Sequence, residues 1–326
     1  MGYLLLAILC SATIAITMRL SSGKVKGQYS MLAVNYLICG ILGAVYSDFS
    51  LLTAQADGLG ITLGLSALNG VILLSGLVLL QISTRKNGIV LSSLFMKLGL
   101  LVPFVVSILA FREMPTGLQV AGFCVAAAAI VLFNWKKDNG PSRFGFGLIL
   151  LLLASGGCDA IVKVFEVLGP EALSNHFLCL SFSVAFLLCL GLVMGKKERF
   201  EASALVYGSV VGVANFFTSK FLLASLGQLP AVVVFPTYSV ATMLVVTLTG
   251  VVFFKERLDK HQWIAFATVI AALIMLNIEE KRGPCPRFFI AEFQIFVYRS
   301  VAAKPLYLPP GGRWPSEARS EEEFGR

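Results

Sequence analysis

FREMPTGLQVAGFCVAAAAIVLFN, Phe111–Asn134, and FKERLDKHQWIAFATVIAALIMLN, Phe254–Asn277, align without a gap at an offset of 143 residues. Identical pairs are Phe111/Phe254, Glu113/Glu256, Gln119/Gln262, Phe123/Phe266, Ala128/Ala271, Ala129/Ala272 and Asn134/Asn277. Each copy opens on a Phe-basic-Glu corner, passes through small apolar residues and closes on Asn. A bilayer core takes about 20 apolar residues per helical crossing. A charged corner feeding such a run therefore reads as a tight turn entering a membrane helix. Its recurrence reads as an internal duplication.

Outward from these two stretches, apolar runs recur along the chain. They are Gly2–Met18, Ser30–Tyr46, Leu59–Ile82, Gly88–Phe111, Gly117–Trp135, Phe144–Val164, Ser174–Met194, Ala202–Leu223, Ala231–Phe254 and His261–Ile278. The breaks between them are short and hold turn residues or charges, which leaves no room for an extramembrane domain. Hydrophobic residues make up 57% of the chain and charged residues 13%, against about 25% charged in a soluble domain. Mean hydropathy is +0.84. A chain this apolar takes lipid as its solvent.

The longest polar break, Lys136–Arg143, contains Asn139-Gly140-Pro141 and reads as a linker. Residues 1–135 form a first five-helix repeat, 136–143 the linker and 144–280 a second repeat. Residues 281–326, rich in proline, read as a disordered or surface-associated tail. Five is odd, so the second copy enters the membrane inverted. The expected fold is an all-α integral membrane bundle of ten transmembrane helices in two inverted five-helix repeats. Inverted repeats are a common architecture of secondary transporters.

Two five-helix repeats, each closing its fourth span on a Glu corner (Phe111-Arg112-Glu113 and Phe254-Lys255-Glu256), resemble the EamA-type branch of the drug/metabolite transporter superfamily. The resemblance covers residues 1–280. Typical members also carry Trp-Gly in the first span and an early Pro in the fourth span of each repeat. Here the first span has no Trp, and only the second repeat has the early Pro, Pro236. The resemblance implies proton- or gradient-linked movement of a small metabolite through a central cavity between the halves. It also implies a coupling ion, surrounding membrane lipid and a bacterial plasma (inner) membrane location.

The candidate substrate-binding residues are Lys97, Asn69, Asn215, Asp159, Lys163 and Tyr238. A charge at mid-bilayer costs about 2.5–3.5 kcal/mol on insertion scales and usually faces a cavity or a partner. Lys97 lies near the middle of the fourth span, six residues before Pro103, which is expected to interrupt that span as Pro236 interrupts the ninth. Asp159 and Lys163 stand at i,i+4 on the sixth span, where they can neutralise each other. The rival partner for Lys97 is Asp159. Lys220 is expected to snorkel. Asn69 and Asn215 occupy nearly corresponding levels, and their spans open with Gly60/Gly64 and Gly208/Gly212, a spacing that lets helices approach closely. Tyr238 aligns with Phe95 across the repeats. For the glycines, asparagines and aromatics, plain helix packing is the competing account.

Other classes find little support. Gly191 to Lys197 has the wrong spacing for a phosphate-binding loop, so ATP coupling within this chain is not expected. The only histidines, His176 and His261, fall at loop edges, and six of seven cysteines lie inside apolar runs without a CxxC. No cofactor, metal site or disulfide framework is expected. Paired intramembrane carboxylates for magnesium-bound pyrophosphate are missing. A membrane-embedded enzyme or a non-transporting scaffold is the alternative reading. The formal charge of +8 sits in the short loops rather than on one helix face, which argues against nucleic acid. Fourteen Lys and Arg follow odd-numbered spans and three follow even-numbered ones, or four if Lys163 lies outside the membrane. By the positive-inside rule the fourteen face the cytoplasm and both termini face outward; the family resemblance implies the opposite arrangement.

Overall fold

A computed structural model describes residues 1–47, 58–87, 89–134, 146–254 and 260–277. The expected linker and tail lie outside the described residues. The helices are α1 (Gly2–Ser21), α2 (Gln28–Tyr46), α3 (Leu59–Asn87), α4 (Ile89–Leu98), α5 (Leu101–Phe111), α6 (Gly117–Asn134), α7 (Phe146–Leu168), α8 (Ser174–Lys196), α9 (Ala202–Leu226), α10 (Ala231–Phe254) and α11 (Lys260–Asn277). A 3₁₀ turn, Glu171–Leu173, precedes α8. No strand occurs among the described residues.

Eight segments are long and apolar enough to cross a membrane, with α4 and α5 together forming one of them, Leu91–Phe111. Two more apolar helical stretches, Gly117–Leu132 and Gln262–Asn277, are shorter. They fall within the two aligned stretches that opened the sequence reading, and the count of ten spans depends on them. In lipid every backbone polar group must be paired internally, which is why helices answer the sequence's apolar runs. Large apolar side chains such as Leu109, Leu187, Val206 and Phe253 stand exposed on the outer faces, as a hydrocarbon solvent permits.

Inside, two apolar clusters hold the bundle. One gathers α1, α2, α3, α7, α8, α9 and α10 around Tyr36, Phe165, Phe177, Phe182, Phe216 and Phe235. The rings of Phe165 and Phe177 stack with centroids 4.1 Å apart. The other joins α5, α6, α10 and α11 through Phe104, Phe123, Ile130, Val240 and Leu276, with Phe104 and Phe123 stacked at 3.8 Å. Helix α2 packs on α8 and α9, α1 on α9 and α10, α3 on α7 and α8, α4 and α5 on α7, α5 on α10, and α6 on α11.

The fourth span breaks, but not at Pro103. The chain turns at Gly99 and Leu100, between α4 and α5. Pro103 is the third residue of α5, within the first turn, where a helix N–H has no intrahelical acceptor anyway and a proline's missing donor does no harm. The break follows from packing. A Cβ on Gly156 of α7 would collide with the carbonyl oxygen of Gly99, and a Cβ on Gly99 would strike Ser155 Oγ. Ser155 Oγ donates to the Met96 carbonyl at 2.8 Å, pairing a backbone group at the break. Pro236 likewise sits inside a continuous α10 and does not interrupt it.

The two GxxxG pairs behave differently. A Cβ on Gly208 or Gly212 would lie 2.7 Å from Met31 O or 2.8 Å from Asn35 O, so these glycines allow α9 to touch the α2 backbone. A Cβ on Gly60 or Gly64 would meet nothing within 4 Å among the described residues beyond its own helix. The packing expected of that pair does not occur among the described residues.

Candidate functional site

Lys97 is the penultimate residue of α4, half-buried, and just ahead of the Gly99 break. A cation in a helix's last turn is favoured by the carbonyl ends there. Asp159 lies on α7, one helical turn beyond Ser155, and is also half-buried. Neither side chain makes a hydrogen bond or ion pair among the described residues. No N···O approach within 4.0 Å joins them, so Asp159 is not the ion-pair partner of Lys97.

Tyr238, on α10, is half-buried and stands beside Ser11 of α1 and Asp159 of α7. Phe95, which aligns with it in the sequence, is buried. Asp159 and Tyr238 are thus brought together, on helices that the sequence separates widely.

Lys163 does not pair with Asp159. Its ammonium reaches Glu113 Oε1 at 2.8 Å and Glu166 Oε2 at 2.7 Å, and Lys163 itself is 5% exposed. The other oxygen of Glu113 accepts from the Val232 N–H at 3.2 Å, in the first turn of α10. One carboxylate therefore ties α7 to α10 from the end of α5. Glu113 can do this because Arg112 takes a left-handed conformation (φ 51) and folds the chain back, with the Glu113 N–H bonded to the Ser107 carbonyl at 3.1 Å. The three ionised groups leave one net negative charge, which the N–H end of α10 offsets. Glu166 was missed in the sequence reading, although its i,i+3 spacing from Lys163 was a usable signal. Glu113 was read only as a turn marker, since nothing local tells which helix it meets.

Asn215 Nδ2 donates to Asn35 Oδ1 at 3.2 Å, linking α9 to α2 beside the Gly212 contact. Asn35 was also missed. Asn69 is buried on α3 with its Oδ1 unpartnered among the described residues. The neighbouring Gly70 presses on the α8 backbone at Ser181 O, and Ser181 Oγ is a second buried atom without a partner. Lys220 does not run to the interface alone; its ammonium lies over the Tyr46 ring, 3.3 Å from the centroid. Such a contact satisfies a cation in a poorly solvated place.

The six candidates thus divide into three groups. Lys97, Asp159 and Tyr238 are charged or polar groups in mid-span, with the charges unpaired among the described residues. Asn69 and Asn215 lie at helix contacts. Lys163 belongs to a buried ion cluster at one end of the bundle.

No protein-family model matches the chain. An uncharacterized protein of Haemophilus influenzae is 25% identical over 297 residues, which is 86% of this chain and 99% of that one. A probable 4-amino-4-deoxy-L-arabinose-phosphoundecaprenol flippase subunit ArnE of Hamiltonella defensa is 29% identical over 112 residues, 32% of this chain and 96% of that protein. A protein of known crystal structure superposes with a TM-score of 0.63 over 85% of this chain and 95% of its own, at 17% identity, a likeness of fold.

Proposed function

We propose that this chain is a secondary transporter that moves a small metabolite across a bacterial inner membrane by alternating access between two inverted five-helix repeats. The observation that carries it is the α4–α5 elbow, which holds Lys97 in mid-span with no partner among the described residues. Broken helices with polar groups at mid-depth are how transporters line a substrate site. Asp159 and Tyr238 complete the site in this reading, and Lys97 contacts an anionic group of the substrate. No catalysis is part of it.

The helix contacts support a twofold arrangement of the two halves. Exchange each span for its counterpart in the other half, and α1 on α9 becomes α3 on α7, while α2 on α9 becomes α3 on α8. The contact of α1 with α10 becomes that of α4 and α5 with α7. The contacts α2 on α8, α5 on α10 and α6 on α11 map onto themselves. The alignment with nearly all of a flippase subunit only about a third as long agrees with a doubled unit and with transport.

The test is solute flux. Metabolites that differ inside and outside cells with and without the gene supply the candidates, and purified protein in proteoliposomes is assayed for their movement. Lys97→Met should insert, express and melt like the parent but lose at least about 90% of the flux, as removal of a transition-linked charge contact worth about 1.4 kcal/mol or more implies. Unchanged flux in this variant would sink the assignment of Lys97.

A further inference from the structure

At the other end of the bundle from Glu113, helices α2, α3 and α8 and the residues flanking α2 and α8 line an open polar basin of about 450 Å³. Connectivity places it there: α3 ends and α4 begins at the basin, and α4–α5 then cross the bundle to Glu113. Lys26, Tyr29, Gln81, Arg85, Lys196 and Glu198 line the basin.

These side chains are ordered with respect to one another. The Tyr29 hydroxyl donates to Gln81 Oε1 and accepts from Lys196 Nζ at 3.2 Å. The Lys196 ammonium also stands 4.4 Å from the Tyr29 ring centroid. With its oxygen occupied, Gln81 has its amide N–H groups left to offer, and Lys196 keeps two further N–H donors. The one carboxylate, Glu198, is already engaged, since its Oε2 accepts from the Ser30 N–H at 3.0 Å in the first turn of α2. Lys26 and Arg85 are exposed and make no ion pair among the described residues. The basin therefore holds three cations against one carboxylate, and these groups leave mainly N–H donors spare, beside the exposed amide of Gln28, which offers both a donor and an acceptor.

We propose that this basin binds a phosphate group, presented either by an anionic lipid headgroup or by a soluble phosphate. Phosphate supplies several acceptor oxygens and negative charge in one compact group, and Arg85 can meet it with two parallel N–H bonds. Basic pockets between membrane helices at the headgroup level are suited to such groups. The site is separate from the mid-span residues and does not depend on the transport reading. The plainer account is that these cations only orient the chain in the membrane.

Purified full-length protein in neutral phosphatidylcholine nanodiscs is titrated with dioctanoyl phosphatidylglycerol and, separately, with inorganic phosphate. Wild type should bind at least one of them saturably. Lys26→Gln/Arg85→Gln should weaken that binding about thirtyfold, from about 1 kcal/mol per basic residue near a charged surface. Lys24→Gln/Lys86→Gln changes two cations of the same loops that do not line the basin, and should leave binding unchanged. Saturation by phosphatidylglycerol that inorganic phosphate does not displace assigns a lipid; the reverse assigns a soluble phosphate. A variant-free arm follows arginine modification of wild type by phenylglyoxal, read by mass spectrometry. Arg85 should be protected when either probe is bound. Binding of neither probe, equal loss in the control variant, or no protection of Arg85 overturns the proposal.

Discussion

Glu113 and Glu198 are set by the same backbone device at opposite ends of the bundle, yet their surroundings differ. Each follows a basic residue in the left-handed conformation, Arg112 (φ 51) and Lys197 (φ 54), just past a helix end. Each carboxylate reaches the first turn of a helix in the other half of the chain, α10 for Glu113 and α2 for Glu198. Glu113 also meets Lys163 inside the protein. Beside Glu198 the lysines stay exposed, and Lys196 turns to Tyr29 instead. The first end is closed by neutralised charge; the second keeps its cations available. Burial accounts for the difference. An unpaired charge is expensive where water is scarce and cheap where water reaches it.

Three experiments break or sharpen this contrast, and the largest effect belongs to the buried end. Lys163→Met leaves Glu113 and Glu166 facing each other without a cation. It should lower stability by about 3–5 kcal/mol, measured by unfolding in detergent micelles. Lys163→Met/Glu113→Gln/Glu166→Gln should regain most of that loss; if it does not, charge is not what Lys163 contributes.

Next come the glycines that hold α9 to α2 near the basin. Gly212→Ala sets a Cβ against the Asn35 carbonyl and should cost about 1–3 kcal/mol. Gly64→Ala, on the opposite side of the contrast, meets open space and should be neutral or stabilising by at most about 1 kcal/mol, the helix preference of Ala over Gly. Equal losses at both sites would refute the claim that only one pair packs.

The smallest effect is expected for Lys26→Gln/Arg85→Gln. Both side chains are exposed and unpaired among the described residues, so thermal unfolding without added ligand should stay within about 0.5 kcal/mol of wild type. A large loss would mean that the basin cations support the fold, as Lys163 does.

Legibility in the sequence followed the range of the interaction. The helical segments could be read because an apolar run long enough to cross a bilayer is a local property. The pairing of α6 with α11 fits the repeated stretch that marked both of them. That a lysine stands in mid-span at position 97 was also legible, from position alone; whether Asp159 pairs with it was not. The break in its span was assigned to Pro103 because proline is the stronger local signal. The deciding contact was Gly99 against Gly156, which are 57 positions apart and meet only when α4 and α5 pack on α7. The two GxxxG pairs read alike, and among the described residues only Gly208/Gly212 presses on a neighbouring helix.

Lys163 shows the division most sharply. By itself the sequence determined that a lysine would stand in an apolar helix and need a partner, because the cost of a buried charge depends on residue type and depth. It offered Asp159, one turn away, since i,i+4 neighbours share a helix face. Tertiary structure decided the actual partners. Lys163 meets a Glu113 that arrives from the end of another span after a left-handed turn at Arg112, and not Asp159. Hydrophobic length is summed along the chain and can be counted there. Which charge meets which depends on how helices far apart in sequence are rotated and stacked, and that is settled only when they pack.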